Sequence, residues 1–162
     1  MTTPLQVGDK APTFSTTAVG GDYGPGTPLN LSDLKGKPVV LYFYPKDDTP
    51  GCTTQACGIR DSWKEIQSTG AALFGVSIDP AKAHEKFITK FDLPFPLLAD
   101  TEKSIVESYG VWVEKSMYGK KYMGTERTTF VIDAKGKIVA IFPKVKPAEH
   151  AELVLKVLKA LD

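Results

Sequence analysis

Both cysteines of the chain, Cys52 and Cys57, lie in one short stretch that begins at Thr49. Thr and Pro are favoured at the N-cap and the first position of a helix, so we predict that a helix begins at Pro50. Cys52 would then lie in the first helical turn, among unpaired backbone N–H groups at the positive end of the helix dipole. Both features favour the thiolate, the nucleophilic form of cysteine. Cys52 is therefore the candidate nucleophile.

Cys52 and Thr49 each have a purely structural alternative. A free cysteine is often a buried core residue. The Thr49 oxygen can serve only as an N-cap that accepts a hydrogen bond from the Cys52 N–H. A hydroxyl both donates and accepts, so capping and catalysis are compatible at Thr49. The Thr-Pro-Gly sequence before Cys52 favours the reactive interpretation.

Composition limits the classes of protein to which the chain can belong. Its 162 residues suit one domain, which we predict to span 1–162. The net charge of +1 gives no field that would attract nucleic acid or an anionic membrane. No apolar run approaches the roughly 20 residues that span a bilayer, and the N-terminus lacks the pattern of a signal peptide. We expect a cytoplasmic protein without nucleic-acid or membrane partners.

The sequence gives little support for a metal or a nucleotide. Two cysteines in a chain of this length do not make a disulfide scaffold. A zinc site takes four ligands, and the only other soft candidates, His84 and His150, are remote in sequence. Both histidines lie on predicted helices among charged residues, where we expect them to be solvated. The GxxxxGK[ST] and GxGxxG fingerprints are absent, so we expect no metal and no cofactor.

The elements around the cysteines must bring the reactive residues together. The apolar run 39–44 indicates a strand buried on both faces, followed by a helix over 50–68. The remaining predicted elements are an edge strand at 14–19, strands at 29–31, 71–78, 96–99, 128–132 and 137–142, a hairpin or long loop at 114–124, and helices at 80–91, 102–109 and 147–161. Strands alternating with helices, followed by a β-hairpin, favour an α/β fold whose mixed central sheet carries helices on both faces.

Arg127 precedes the predicted strand 128–132, which we expect to run antiparallel to strand 39–44. The beginning of strand 128–132 would then lie beside the end of strand 39–44, where Cys52 is located. A lone arginine is more commonly a solvated surface charge. On topology alone, Arg127 is therefore either such a charge or a partner of Cys52.

These residues resemble a known family. The pattern Pro45-x-x-x-Thr49-x-x-Cys52 is similar to the active-site motif of peroxiredoxins, thiol peroxidases built on a thioredoxin-like fold. A second cysteine at Cys57 and the stretch 117–124, followed by Arg127, resemble the Q-type subfamily, also called bacterioferritin comigratory proteins. The likeness extends from about residue 6 to the end of the chain.

The resemblance implies a role for each matching residue. It implies that Cys52 is the peroxidatic cysteine and Cys57 the resolving cysteine. It also implies that the Thr49 hydroxyl bonds the thiolate and the peroxide, and that Pro45 shields the pocket. Arg127 would stabilise the thiolate and polarise the peroxide.

The implied activity is reduction of hydrogen peroxide and organic hydroperoxides for antioxidant defence. A sulfenic acid and a Cys52–Cys57 disulfide would be the intermediates, and thioredoxin would reduce the disulfide. The protein would act as a monomer, with a weak dimer left open. The chain has Gln55 where many relatives carry Glu, so one negative charge next to the site is missing.

A disulfide between Cys52 and Cys57 conflicts with an intact helix. Residues five apart in a helix have Cα atoms about 8.6 Å apart, whereas a disulfide needs less than about 7 Å. We therefore predict that the first turns of the helix unwind after Cys52 is oxidised. Gly51 and Gly58 flank the segment and lower its helix propensity.

Two other functions remain to be weighed. A thiol–disulfide oxidoreductase of thioredoxin type favours the spacing C-x-x-C, whereas the spacing here is C-x₄-C. Such proteins have a proline just before the strand that faces the active site, and here Arg127 and Thr128 occupy that place. A non-catalytic binding module on the same fold predicts slow reaction with peroxide and a stable protein complex.

Overall fold

The apolar run of the sequence forms the strand β3, Val39–Phe43, whose five residues are all buried. The structure, a computed structural model, describes residues 5–161. The other strands are β1 Ser15–Val19, β2 Thr27–Asn30, β4 Ala72–Ser77, β5 Leu97–Ala99, β6 Trp112–Met117, β7 Lys120–Thr125, β8 Thr128–Ile132 and β9 Ile138–Pro143. The helices are α1 Pro50–Asp61, α2 Trp63–Ser68, α3 Ala81–Phe91, α4 Ser104–Ser108 and α5 His150–Ala160.

Seven strands form one mixed sheet in the order β2-β1-β5-β4-β3-β8-β9. β3 is parallel to β4 and antiparallel to β8, which confirms the predicted mixture of strand directions. The predicted edge position of 14–19 is wrong, because β1 pairs with β2 on one side and with β5 on the other. The short β2 covers the edge that β1 would otherwise expose.

Side chains of β3 alternate between two apolar clusters, one on each face of the sheet. Val40 and Tyr42 point into a cluster that also contains buried residues of α1, α2, α3 and α5. Leu41 and Phe43 point into a cluster that α4 covers. Helices on both faces are therefore confirmed, although one face carries four of the five α-helices found between residues 5 and 161. Between residues 5 and 161, no helix is long and apolar enough to cross a membrane.

The predicted helix 50–68 is interrupted at Ser62, so the single-helix prediction is wrong. Ser62 has φ −102° and ψ 7°, and its N–H contacts the carbonyls of both Gly58 and Ile59, at 3.2 and 3.1 Å. The last turn of α1 thus tightens toward i→i−3 bonding, a common way for a helix to end. The chain then re-enters a helix at Trp63.

The sequence left open whether residues 114–124 form a hairpin or a long loop. In the structure, residues 112–125 form a two-stranded hairpin. Strands β6 and β7 pair from Trp112 opposite Thr125 to Met117 opposite Lys120. The two residues between them, Tyr118 and Gly119, have φ values of 53° and 79°. Two central residues at positive φ are typical of the tight turn that suits the twist of a hairpin.

Candidate active site

Cys52 is the third residue of α1, which begins at Pro50 as predicted. The residue is only 1% exposed. The Thr53 N–H is bonded to the Thr49 carbonyl at 2.8 Å, so the N–H groups of Gly51 and Cys52 belong to the unpaired first turn. The buried sulfur therefore lies at the positive end of a twelve-residue helix.

Thr49 occupies the N-cap position with extended φ and ψ, but its side chain makes no capping hydrogen bond. The structural alternative, in which Thr49 Oγ1 accepts from the Cys52 N–H, is not found, because Thr49 Oγ1 instead donates to the carbonyl of Lys46 at 2.9 Å. A carbonyl only accepts, so the hydroxyl proton is committed to Lys46. The expected hydrogen bond from this hydroxyl to the Cys52 thiolate is therefore not made in this structure, because a thiolate also only accepts. The lone pairs of Oγ1 remain available to a donor that enters the site.

Arg127 lies beside Cys52, and the predicted strand direction explains why. Antiparallel pairing places Phe43, the end of β3, opposite Thr128 at the start of β8. The preceding residue, Arg127, directs Nη2 to Cys52 Sγ at 3.5 Å. The contact joins residues 75 positions apart in the chain.

Gln55 bonds the Arg127 side chain, and Gly51 leaves room for it. Arg127 Nη1 donates to Gln55 Oε1 at 2.6 Å, and Gln55 is fully buried. At Gly51, a Cβ atom would lie 3.0 Å from Arg127 Nη2, so the guanidinium would have to move by a few tenths of an ångström. Gln55 therefore orients the guanidinium without adding the negative charge that a glutamate would bring.

Pro45 and Cys57 complete the set of predicted site residues. Pro45 directly follows Tyr44 and is half-buried at the start of the loop that leads to α1. Cys57 is half-buried within α1, and both cysteines are free thiols. With α1 continuous between them, the helical geometry keeps the two Cα atoms about 8.6 Å apart.

The prediction that both histidines are solvated is wrong, since His84 and His150 are each 0% exposed. The sequence contained a signal for both positions. His84 lies three residues before Phe87 in α3, and His150 lies four residues before Val154 in α5. Residues at these spacings share a helical face, so helical periodicity places both imidazoles on the apolar faces.

His150 lies on the same side of the sheet as Cys52 and contacts residues beside the active site. Its Nε2 is 2.7 Å from Thr129 Oγ1, and its ring centroid is 5.2 Å from that of Tyr42. Burial, together with the nearby Arg127 guanidinium, lowers the pKa of His150 to about 3. The imidazole is therefore neutral at neutral pH and adds no positive charge next to Arg127.

This shift in pKa makes stability depend on pH. An unfolded chain binds a proton at His150 below pH 6.5, the ordinary histidine pKa, whereas the folded chain resists it down to about pH 3. Stability is therefore lost as the pH falls through that window. We expect the wild type to lose about 3 kcal/mol more than His150→Gln between pH 7 and pH 4.

Urea denaturation of both proteins at each pH measures this difference directly. The subtraction removes the titration of the carboxylates, which the two proteins share. A difference in the free energy of unfolding that stays constant between pH 7 and pH 4 would contradict the prediction.

The assembled groups suit nucleophilic attack by a thiolate on a small polar substrate. Cys52 supplies the sulfur, and the first turn of α1 and Arg127 supply donors. Thr49 supplies an acceptor. Donors fixed around a reacting centre stabilise charge that develops in the transition state.

Comparison with known proteins identifies relatives that match this chain over nearly its whole length. The family model described as AhpC/TSA family matches residues 7–141. Peroxiredoxin Bcp of Bacillus subtilis is 46% identical over 158 residues, which are 98% of this chain and 98% of that protein.

Solved structures agree with this result. A cysteine-to-serine mutant of PrxQ from Xylella fastidiosa has a TM-score of 0.88 at 33% identity, covering 98% of each chain. Peroxiredoxin Q of Xanthomonas campestris, also a cysteine-to-serine mutant, has a TM-score of 0.85 at 38% identity, covering 92% of each chain. The expected thioredoxin-like fold and the resemblance to the Q-type subfamily are both confirmed.

Proposed function

This chain belongs to the AhpC/TSA family and is a peroxiredoxin of the Bcp or Q type, a thiol peroxidase, and we propose that Cys52 is its peroxidatic cysteine. The observation that carries the assignment is the 3.5 Å contact between Arg127 Nη2 and Cys52 Sγ at the N-terminus of α1. Hydrogen peroxide and organic hydroperoxides are the proposed substrates.

In the first step, the Cys52 thiolate attacks the oxygen of ROOH that carries the hydrogen. A sulfur–oxygen bond forms and the O–O bond breaks, so that sulfur loses two electrons and the peroxide gains them. The products are the sulfenic acid of Cys52 and an alkoxide, which takes a proton to become ROH. Arg127 stabilises the charge on the departing oxygen, and Thr49 Oγ1 accepts the hydrogen bond of the peroxide O–H.

Pro45 is the proposed shield that keeps water from this site. Its ring begins the loop between β3 and α1 and has no N–H to offer to solvent or substrate. Exclusion of water strengthens the interactions of the charged groups within the site.

In the second step, the thiolate of Cys57 attacks the sulfur of oxidised Cys52. A disulfide forms as the S–O bond breaks, and the sulfenic oxygen leaves as hydroxide, which takes a proton to become water. The helical separation of about 8.6 Å requires the first turns of α1 to unwind. A dithiol protein of the thioredoxin type then reduces the disulfide by thiol exchange, which restores both thiols.

The proposal extends to the form in which the protein acts. We assign the peroxidase to a single thioredoxin-like domain over 1–162, of which residues 1–4 and 162 lie outside the described part. Because both cysteines are in one chain, the cycle needs no second subunit, and we propose a cytoplasmic monomer that serves antioxidant defence.

Cys57→Ser tests the resolving step. We expect this variant to consume one equivalent of hydrogen peroxide and then stop in the presence of thioredoxin, thioredoxin reductase and NADPH, because no disulfide is available to the reductant. Stopped-flow measurement of the first turnover and steady-state NADPH oxidation separate the two steps. Multiple turnovers at the wild-type rate would disprove the role of Cys57.

A further inference from the structure

Beneath the loop that leads to Cys52 lies a buried, hydrogen-bonded pair of side chains, Asp47 and His84 of α3. Asp47 Oδ2 is 2.7 Å from His84 Nδ1, and the two side chains are 6% and 0% exposed. None of the steps assigned to Cys52 or Cys57 uses either residue. Asp47 lies five residues before the nucleophile Cys52, so the buried pair needs a separate explanation.

The pair is fully hydrogen-bonded. His84 Nε2 is 2.9 Å from the carbonyl oxygen of Leu98, and because a carbonyl only accepts, Nε2 carries a hydrogen. The Tyr44 hydroxyl donates to Asp47 Oδ1 at 2.5 Å. One proton between Nδ1 and Oδ2 completes the set. Removal of one side chain would leave a buried polar atom without a partner, which is costly in a protein interior.

Asp47 acts on the active site through one peptide unit. The N–H of Asp47 donates to Asp79 Oδ2 at 2.8 Å. The carbonyl at the other side of the same peptide, that of Lys46, accepts the hydroxyl of Thr49 at 2.9 Å. A peptide unit is planar, so a fixed N–H also fixes its C=O. The orientation of the Thr49 hydroxyl therefore depends on Asp79, which holds the Asp47 N–H, and on the position of Asp47 itself.

The adjacent ion pair of the same loop provides an internal comparison. Asp48 Oδ2 is 2.8 Å from Lys90 Nζ, and Lys90, like His84, belongs to α3. These two side chains are 44% and 60% exposed. An exposed ion pair contributes little to stability, since water screens its charges. The two pairs join the same loop to the same helix and differ in burial.

We propose that Asp47 and His84 are positioning residues that hold the Lys46–Asp47 peptide, and with it Thr49 and the first turn of α1, in the arrangement that reacts with peroxide. The inference rests on the proposed function of Cys52. It predicts that the pair raises the rate of the reaction with peroxide. The pair is not needed for the later step, in which α1 unwinds and Cys52 forms a disulfide with Cys57.

Asp47→Ala and His84→Phe test the proposal, with His84→Phe keeping the volume of the ring. We expect the second-order rate constant with hydrogen peroxide to fall about 10-fold or more in both variants, because a displacement of about 1 Å at a reacting group has an effect of up to about 100-fold. The rate of disulfide formation from the sulfenic acid should not fall. Rapid quenching and mass spectrometry of Cys52 follow both steps.

Asp47→Asn is the conservative variant. Its amide oxygen accepts from Tyr44, and its NH₂ donates to Nδ1 of a neutral His84 whose Nε2–H still bonds Leu98. We expect this variant to keep the rate constant within about 3-fold, a difference below 1 kcal/mol. Lys90→Ala, which removes the exposed pair, should also keep it.

The results separate positioning from a loss of folding. Rates are compared at a temperature where near-UV circular dichroism shows each variant folded, and if Asp47→Ala does not fold, His84→Phe carries the comparison. An unchanged peroxide step in the folded variants, an equal slowing of both steps, or a 10-fold loss in Asp47→Asn would overturn the proposal. An inert wild type would instead overturn the assignment of Cys52 itself.

Discussion

Replacement of Cys52 by serine is expected to lower the rate of peroxide reduction by at least about 10⁴-fold, since loss of a catalytic nucleophile has effects of that size or larger. A serine hydroxyl stays protonated at neutral pH in the place where the thiolate reacts, and oxygen cannot form the sulfenic acid from which the disulfide is made. The rate is measured as consumption of hydrogen peroxide with a thioredoxin system, and in a single turnover without it.

Cys57→Ser is the matched control, because it makes the same chemical change in the same helix. It should retain the first turnover that Cys52→Ser loses. Peroxide consumption by Cys52→Ser at a rate close to that of the wild type would show that the reactive thiol is elsewhere.

Replacement of Arg127 by glutamine should lower the second-order rate constant with peroxide by about 10²- to 10³-fold, the usual effect of removing one donor that stabilises transition-state charge. The variant loses the donor 3.5 Å from Cys52 Sγ and the bond to Gln55. Arg127→Lys should recover little of the rate, because a single ammonium cannot reproduce the planar fork that contacts both partners. Stopped-flow kinetics at several peroxide concentrations measure the constant.

Lys144→Gln controls for the loss of a positive charge near the site. Lys144 is 83% exposed and pairs at 3.9 Å with Glu126, the neighbour of Arg127. The control should react within about 2-fold of the wild type, because solvent screens such charges. Equal losses in Arg127→Gln and Lys144→Gln would attribute the effect to net charge and not to the contact with Cys52.

The sequence predicted the fold correctly where a single sequence pattern indicated the type and position of an element. The apolar run 39–44 predicted the central strand, and the strand directions predicted that Arg127 would lie beside Cys52. The interruption at Ser62 could not be predicted, because serine is tolerated within helices and nothing else in the sequence marks the end of a helix there. β1 lies inside the sheet because β2 pairs with it, which is a long-range contact without a local signal.

The sequence predicted the reactive groups of the active site better than it predicted the hydrogen bonds and buried residues around them. Thr49 was correctly placed at the helix start, but the choice between the Lys46 carbonyl and a helical N–H depends on the shape of the loop. The solvated assignment of His84 and His150 relied on the charged residues around them and overlooked their apolar face. Burial of imidazole became possible because partners from distant strands bond it, Leu98 for His84 and Thr129 for His150.

The end of α1 at Ser62 has a consequence for how quickly the enzyme becomes ready for its next substrate. The C-terminal part of α1 packs on α5, where a Cβ atom at Gly58 would lie 3.8 Å from Cβ of Ala151, and α2 is anchored separately by the buried Ile66. When the first turns of α1 unwind, the C-terminal part of the helix can therefore stay folded. After the disulfide is reduced, the unwound residues can extend this remaining helical segment. Elongation of an existing helical segment avoids the slow nucleation of a new helix and takes nanoseconds per residue. The rate at which the resting enzyme is restored should then be limited by the reaction with the reductant and not by refolding of the helix.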